Sequence, residues 1–168
     1  GRMDIYGSLT MDANMSMTFN NEIHFISNDA AMKPIWSKTV HFSSDVFFEG
    51  TDGGWQFMDE LYCESSLYHY GGILKTNGQK VTVQGTFRGN YQGPTDGQLH
   101  LGSSEFNIGG YGYFNYSPGQ FDAGTSHIKF LGANVGLVGP INFATPINFY
   151  DVSFLQVCTS GGFTWGNI

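Results

Sequence analysis

Leu99-His100-Leu101-Gly102-Ser103-Ser104-Glu105-Phe106-Asn107-Ile108 carries the pattern that decides the fold. Leu99 and Leu101 share one side of an extended segment, and Phe106 and Ile108 share one side of the next. Between them, Gly-Ser-Ser is corner chemistry. The same arrangement recurs along the chain. Val81 and Val83 follow Thr76-Asn77-Gly78, Val46 and Phe48 precede Asp52-Gly53-Gly54, and Ile128 and Phe130 form a later pair. Asp96-Gly97 and Ser117-Pro118-Gly119 read as further corners. Alternation at Met15, Met17 and Phe19, at Ile23 and Phe25, and at Val40 and Phe42 extends the strand reading toward the start. Helices are excluded beyond Leu61, where glycines recur every few residues and each would cost a helix interior roughly 1 kcal/mol. The chain is all-β.

Two architectures accommodate many short strands of this kind: tandem β-sandwich modules, or a segment of right-handed parallel β-helix. Modules are usually joined by a Pro-, Thr- or acid-rich linker, and none stands between Leu99 and Phe130. Strand segments instead recur at about 20 residues, near one coil of a β-solenoid, so the solenoid is the expected fold. At ~4.8 Å per coil, seven or eight coils would make a rod of about 35 Å.

A longer repeat overlies the short one. Ile23-His24-Phe25 matches Ile128-Lys129-Phe130 at an offset of 105, and Asp45-Val46-Phe47-Phe48 matches Asp151-Val152-Ser153-Phe154 at 106. Ile5-Tyr6-Gly7 matches Ile108-Gly109-Gly110, and Gly53-Gly54-Trp55 matches Gly161-Gly162-Phe163. Residues 1–168 therefore read as a single β-repeat region with about one and a half copies of a unit, approximately 1–105 and 106–168. Both ends fall mid-unit, which leads us to expect further repeats on either side.

Composition narrows the partners. Only 12% of residues are charged and the net charge is −7, with two arginines, Arg2 and Arg88. No basic cluster exists to bind nucleic acid or an anionic membrane by counterion release. No apolar run approaches the roughly 20 residues of a membrane-spanning helix, so no membrane insertion is expected. With 40% hydrophobic residues, 15 of them Phe, disorder is excluded. Cys63 and Cys158 lie several coils apart in a solenoid, on the order of 20 Å, and a disulfide needs Cα atoms within about 7 Å. Free thiols are expected.

Several ordered phrases resemble a known repeat. They are Met3-Asp4-Ile5-Tyr6-Gly7-Ser8-Leu9-Thr10, Val46-Phe47-Phe48-Glu49-Gly50 leading to Gly53-Gly54-Trp55-Gln56-Phe57-Met58-Asp59-Glu60-Leu61, Gly72-Ile73-Leu74-Lys75-Thr76-Asn77-Gly78-Gln79-Lys80-Val81, and Leu99-His100-Leu101-Gly102-Ser103-Ser104. Their order and spacing resemble the repeats of very large Bacteroidetes cell-surface proteins, including gliding-motility-type adhesins. The resemblance covers nearly the whole chain. It implies an extracellular, type IX-secreted segment attached at the outer membrane, serving as stalk or adhesin filament, with neighbouring repeats as partners. That family offers no shared catalytic residues. The aromatic run from Tyr111 to Tyr116 departs from its pattern.

No catalytic or metal-ligating set emerges from the sequence. The five histidines are scattered, and no zinc spacing appears. Asp52-Gly53-Gly54 and Asp96-Gly97 could take calcium, but Asp-Gly is also ordinary turn chemistry, so no cofactor is expected. Asp59 and Glu60 are adjacent and would diverge on a strand, whereas glycoside hydrolysis needs converging carboxylates. Polysaccharide processing is accordingly the third reading, behind a structural or adhesive segment and a carbohydrate-binding module. Tyrosines tolerate the surface, and Tyr62, Tyr68, Tyr70, Tyr91, Tyr111, Tyr113 and Tyr116 are candidates for it, as are Trp36 and Trp55. Tyr68 with Tyr70, and Tyr111 with Tyr113, are i,i+2 pairs that each share a strand face. These four are the candidate glycan contacts. The alternative is that they pack against cross-strand neighbours. Trp55, which recurs approximately as Phe163 or Trp165, reads as a core element of the repeat.

Overall fold

The computed structural model describes residues 1–90, 96–132, 136–138 and 148–155, the third of these as backbone. Every strand pairing in it is parallel, and no helix occurs among the described residues. The strands stack into a β-solenoid of about six turns. Three faces enclose a single core. The first face carries Arg2–Ile5, the first half of Glu22–Trp36, the first half of Val46–Phe57, then Leu67–His69, Phe87–Gly89, Tyr111–Phe114 and Gly136–Val138. The second carries Leu9–Thr10, the second halves of those two long strands, Ile73–Lys75, Gln98–His100 and Phe121–Asp122. The third runs from Phe42 through Leu61–Cys63, Val81–Val83, Glu105–Ile108 and His127–Phe130 to Asp151–Phe154.

Coils are numbered from the N-terminus, the first beginning at Arg2 and the fourth at Leu67. Residues stacked in register lie 19 to 26 positions apart: Trp55 meets Leu74, Leu67 meets Phe87, Leu74 meets Leu99, and Leu9 meets Ile35. Coils as long as the one from Leu74 to Leu99 exceed the expected repeat, which explains why there are fewer turns than the seven or eight expected. At ~4.8 Å per turn the stack is about 30 Å long. One strand segment also fails: residues 11–20 form no strand, Met15 is exposed, and Met17 and Phe19 pack against the core from a loop.

Alternation works as the sequence implies. Ile23, Phe25, Val46, Phe48, Leu67 and Phe87 point inward from the first face, Trp55, Leu74 and Leu99 from the second, and Val81, Val83, Phe106, Ile108 and Phe130 from the third; all are fully or almost fully buried. Identical rings stack where register brings them together, as with Phe25 on Phe48 (4.9 Å) and Phe130 on Phe154 (4.8 Å). The corners obey local chemistry. Asn77 and Gly78 both adopt positive φ (52° and 73°), which Asn and Gly tolerate best. Asn77 also donates to the carbonyl of Phe57 on the coil below (3.1 Å). Asp59 holds another corner by accepting from Ser37 N (2.7 Å), Ser37 Oγ (2.9 Å) and Lys38 N (3.0 Å), which gives this carboxylate a structural task.

The segments matched at an offset near 105 stand on different faces. Ile23 and Val46 lie on the first face and their counterparts Ile128 and Val152 on the third. An offset of about 105 is one face short of five coils. His24 and Lys129, paired by the same offset, stand on the outer side of strands on different faces, and His24 is nonetheless buried. Gly161, Gly162, Phe163, Trp165, Cys158 and Tyr91 lie outside the described residues. Cys63 is buried and its thiol is free, with burial pushing its pKa up to about 12.

Candidate functional site

The outward side of the first face is a ladder. Asp4, His24, Phe47, Tyr68, Arg88 and Tyr113 follow one another in strand register over six successive coils. From His24 onward each occupies the position between two buried residues, so parallel in-register pairing stacks their side chains outside the core. His24 lies flat on Phe47 (4.3 Å, 1° between planes) and Phe47 on Tyr68 (4.4 Å, 5°). The Arg88 guanidinium carbon sits 5.9 Å from the Tyr68 ring centroid and 5.2 Å from that of Tyr113. Both distances are within cation–π range.

Two further tyrosines broaden the ladder. Tyr70 packs 5.7 Å from Tyr68 and 6.2 Å from Phe47, and Tyr111 packs 6.1 Å from Tyr113. Tyr70 is two residues after the central column and Tyr111 two before it. The five side chains Tyr70, Tyr68, Arg88, Tyr113 and Tyr111 therefore cross three coils obliquely. Tyr111 is the most open of them at 45% exposure. Tyr68, Tyr70, Arg88 and Tyr113 are half-buried. Burial is the largest influence raising the pKa of Tyr68 and of Tyr70, so both keep the phenol proton, and the Tyr68 hydroxyl is also held by Asp45.

The structure thus gathers all four predicted tyrosines onto one surface. Arg88, between the two pairs, was missed as a partner of either. Its signal was present: Tyr68, Arg88 and Tyr113 follow one another in the sequence at intervals of a single coil. Tyr116 departs from expectation. It is fully buried, and its ring fills the space above Gly89, where an added Cβ would collide with it. Its hydroxyl meets His69 Nδ1 at 2.8 Å, while His69 Nε2 faces the Gly72 carbonyl at 3.2 Å. A carbonyl can only accept, so Nε2 carries the proton and Nδ1 accepts from Tyr116. Burial lowers the His69 pKa to about 4 and keeps this ring neutral. Trp55 is fully buried, as a core element should be, and Trp36 is half-buried, with Lys38 over its ring at 4.3 Å.

Carboxylates on the first face border the tyrosines: Asp45 acts on the Tyr68 phenol, and Glu49 and Asp45 on that of Tyr70. The N-terminal coils hold Asp4, Glu22 and Glu49, drawn into one cluster with Arg2 and His24: Arg2 meets Asp4 at 2.5 Å and Glu49 at 3.7 Å, and His24 meets Glu49 at 3.0 Å and Glu22 at 3.3 Å. Asp45, at the neighbouring corner, accepts from Ser65 Oγ (2.5 Å) and Ser66 N (3.0 Å). Among the described residues no group of three or more His, Cys, Asp and Glu could hold a metal ion. Nor is any helix long and apolar enough to cross a membrane. Flat rings, phenol donors and a guanidinium on a rigid sheet are equipment for holding a ligand. No protein-family model, curated protein or solved structure matches this chain.

Proposed function

We propose that this chain is a non-catalytic adhesive segment of a large, repetitive, extracellular cell-surface protein, and that its first face lies along a polysaccharide. The observation that carries this reading is the oblique set Tyr70, Tyr68, Arg88, Tyr113 and Tyr111 on three stacked coils. Aromatic faces present large, rigid contact area with a polar tip, which suits the apolar faces and hydroxyl rims of sugar rings. A parallel solenoid repeats such contacts at the spacing of its strands, as a polymeric ligand requires. The ordered phrases that resemble Bacteroidetes surface repeats add the cellular setting: type IX secretion, attachment at the outer membrane and neighbouring repeats in the parent chain.

The test is binding of the purified chain to a broad glycan array, in calcium and in EDTA, beside a Tyr68→Ala/Tyr113→Ala variant. Binding that the double variant loses while its fold is retained supports the reading. Silence of the wild-type chain in both conditions overturns it. The stalk reading would then apply, because Phe47 stacked on Tyr68 also stiffens the rod. Polysaccharide processing would show in the same panel as product released from a bound glycan.

A further inference from the structure

We propose that the polysaccharide on the first face is neutral and lies obliquely across it, with one sugar ring on Tyr70 and another on Tyr111. This rests on the polysaccharide reading above and names the ligand's chemical class and the two residues that carry its rings. The stacked column is poorly suited to that task. His24 lies flat on Phe47 and Phe47 on Tyr68, so these rings cover one another's faces. Tyr70 is turned out of the column, at 54° to Tyr68 and 55° to Phe47, and Tyr111 stands at 38° to Tyr113. Among the described residues no ring lies flat on either of them. Both stand on the outward side, Tyr70 after the column on the fourth coil and Tyr111 before it on the sixth.

At ordinary strand rise and coil spacing these two tyrosines stand about 16 Å apart. One sugar ring does not span that distance, so an oligosaccharide has to run diagonally from the fourth coil to the sixth. Arg88 lies midway along the path, within cation–π reach of Tyr68 and Tyr113. The acidic border sets the charge of the ligand. Glu49 follows Phe48 on the third coil as Tyr70 follows His69 on the fourth, which places its carboxylate one coil from Tyr70. His24 engages Glu49 through Oε2. A carboxylate accepts through both oxygens, so Glu49 Oε1 can take a sugar hydroxyl beside Tyr70. Asp45, on the same coil, is fixed by Ser65 and Ser66 and also holds the Tyr68 hydroxyl. Carboxylates beside the path accept from hydroxyl groups and repel a carboxylate or sulfate of the ligand. The net charge of −7 acts in the same direction.

The experiment measures affinity of the whole chain for cellulose-, mannan- and galactan-derived oligosaccharides of increasing length and for polygalacturonate, using wild type, Tyr70→Ala, Tyr111→Ala and Glu49→Gln. Wild type should bind a neutral series more tightly than polygalacturonate. Its affinity should rise with length until the oligosaccharide bridges both tyrosines, and then level off. Each tyrosine variant should lose about three- to tenfold in affinity for the long members, the scale of one aromatic contact, and should no longer gain from added length. Glu49→Gln should weaken neutral binding by about fivefold, as a charge-assisted acceptor becomes a neutral one. If Tyr68→Ala/Tyr113→Ala abolishes binding while Tyr70→Ala and Tyr111→Ala leave it unchanged, the glycan follows the column and only the present proposal falls. Polygalacturonate binding as tightly as the neutral series, or more so, also overturns it and leaves the polysaccharide reading standing. If no glycan binds wild type, both readings fall. A thermal melt of each variant confirms that affinity is compared between folded proteins.

Discussion

The inner and outer sides of the first face are built by the same strands, one residue out of phase, and answer to different constraints. Inside, Phe25, Phe48, His69 and Gly89 stack in register, all within the core. Outside, His24, Phe47, Tyr68 and Arg88 stack in the same register. The inner column is governed by volume. Where it narrows to Gly89, Tyr116 folds in from the next coil to occupy the space. No such demand acts on the outer column, where a short polar side chain would fit the strand equally well. Aromatics outside are therefore a property of the surface, and aromatics inside a property of the core.

Truncating neighbours across that divide gives the widest contrast. Phe48→Ala should cost about 3–5 kcal/mol in urea-induced unfolding, as large cavities do. Phe47→Ala, one residue away and facing outward, should cost less, about 1–3 kcal/mol, on the order of the two stacked pairs it makes with His24 and Tyr68. Equal costs would mean that the ladder is core in all but position.

Acid probes the inner column through His69. Its folded pKa of about 4 lies below the usual ~6.5 of an exposed histidine, so between these values the unfolded chain binds the extra proton. Stability contributed by the neutral ring is present above about pH 6.5 and is lost as pH falls toward 4, by on the order of 3 kcal/mol. His69→Gln should flatten the stability profile through that window. Asp29 and Glu105, whose pKa values are lowered chiefly by hydrogen bonds from Lys33 and Lys129, lose their contribution at lower pH, below about 4.5.

Gly89→Ala should destabilise by about 1–3 kcal/mol, because a Cβ there meets the Tyr116 ring. Combining it with Tyr116→Ala should cost less than the two single losses added together, since removing the ring relieves the collision. Additive losses in denaturant titration would show that Tyr116 is not what fills the space above Gly89. The smallest effect belongs to Tyr111→Ala, at 45% exposure: within about 0.5 kcal/mol in thermal unfolding, while its loss should still weaken glycan binding.

Much of this molecule was legible because strand chemistry is local. The alternations at Leu99 and Leu101, at Phe106 and Ile108 and at Val81 and Val83 named the core side, and Thr76-Asn77-Gly78 named a corner. The i,i+2 spacing placed Tyr68 with Tyr70 and Tyr111 with Tyr113. Coil length was read less well, because corners vary and no single period holds for every turn. The loop over residues 11–20 was misjudged because alternation alone does not supply a neighbouring strand to pair with. Tyr116 looked like a surface residue because a phenol tolerates water, yet the space left by Gly89 belongs to another coil.

By itself the sequence determined the class of fold, the inward set and the absence of a basic surface, since each follows from residue type and a period of two. Only the tertiary structure decided which outward residues become neighbours. Stacking register joins positions a full coil apart in the chain, and corners of different length are absorbed without breaking the columns. The placement of Arg88 between Tyr68 and Tyr113 is a product of that register, and so are the buried pairing of His69 with Tyr116 and the approach of Glu49 to Tyr70.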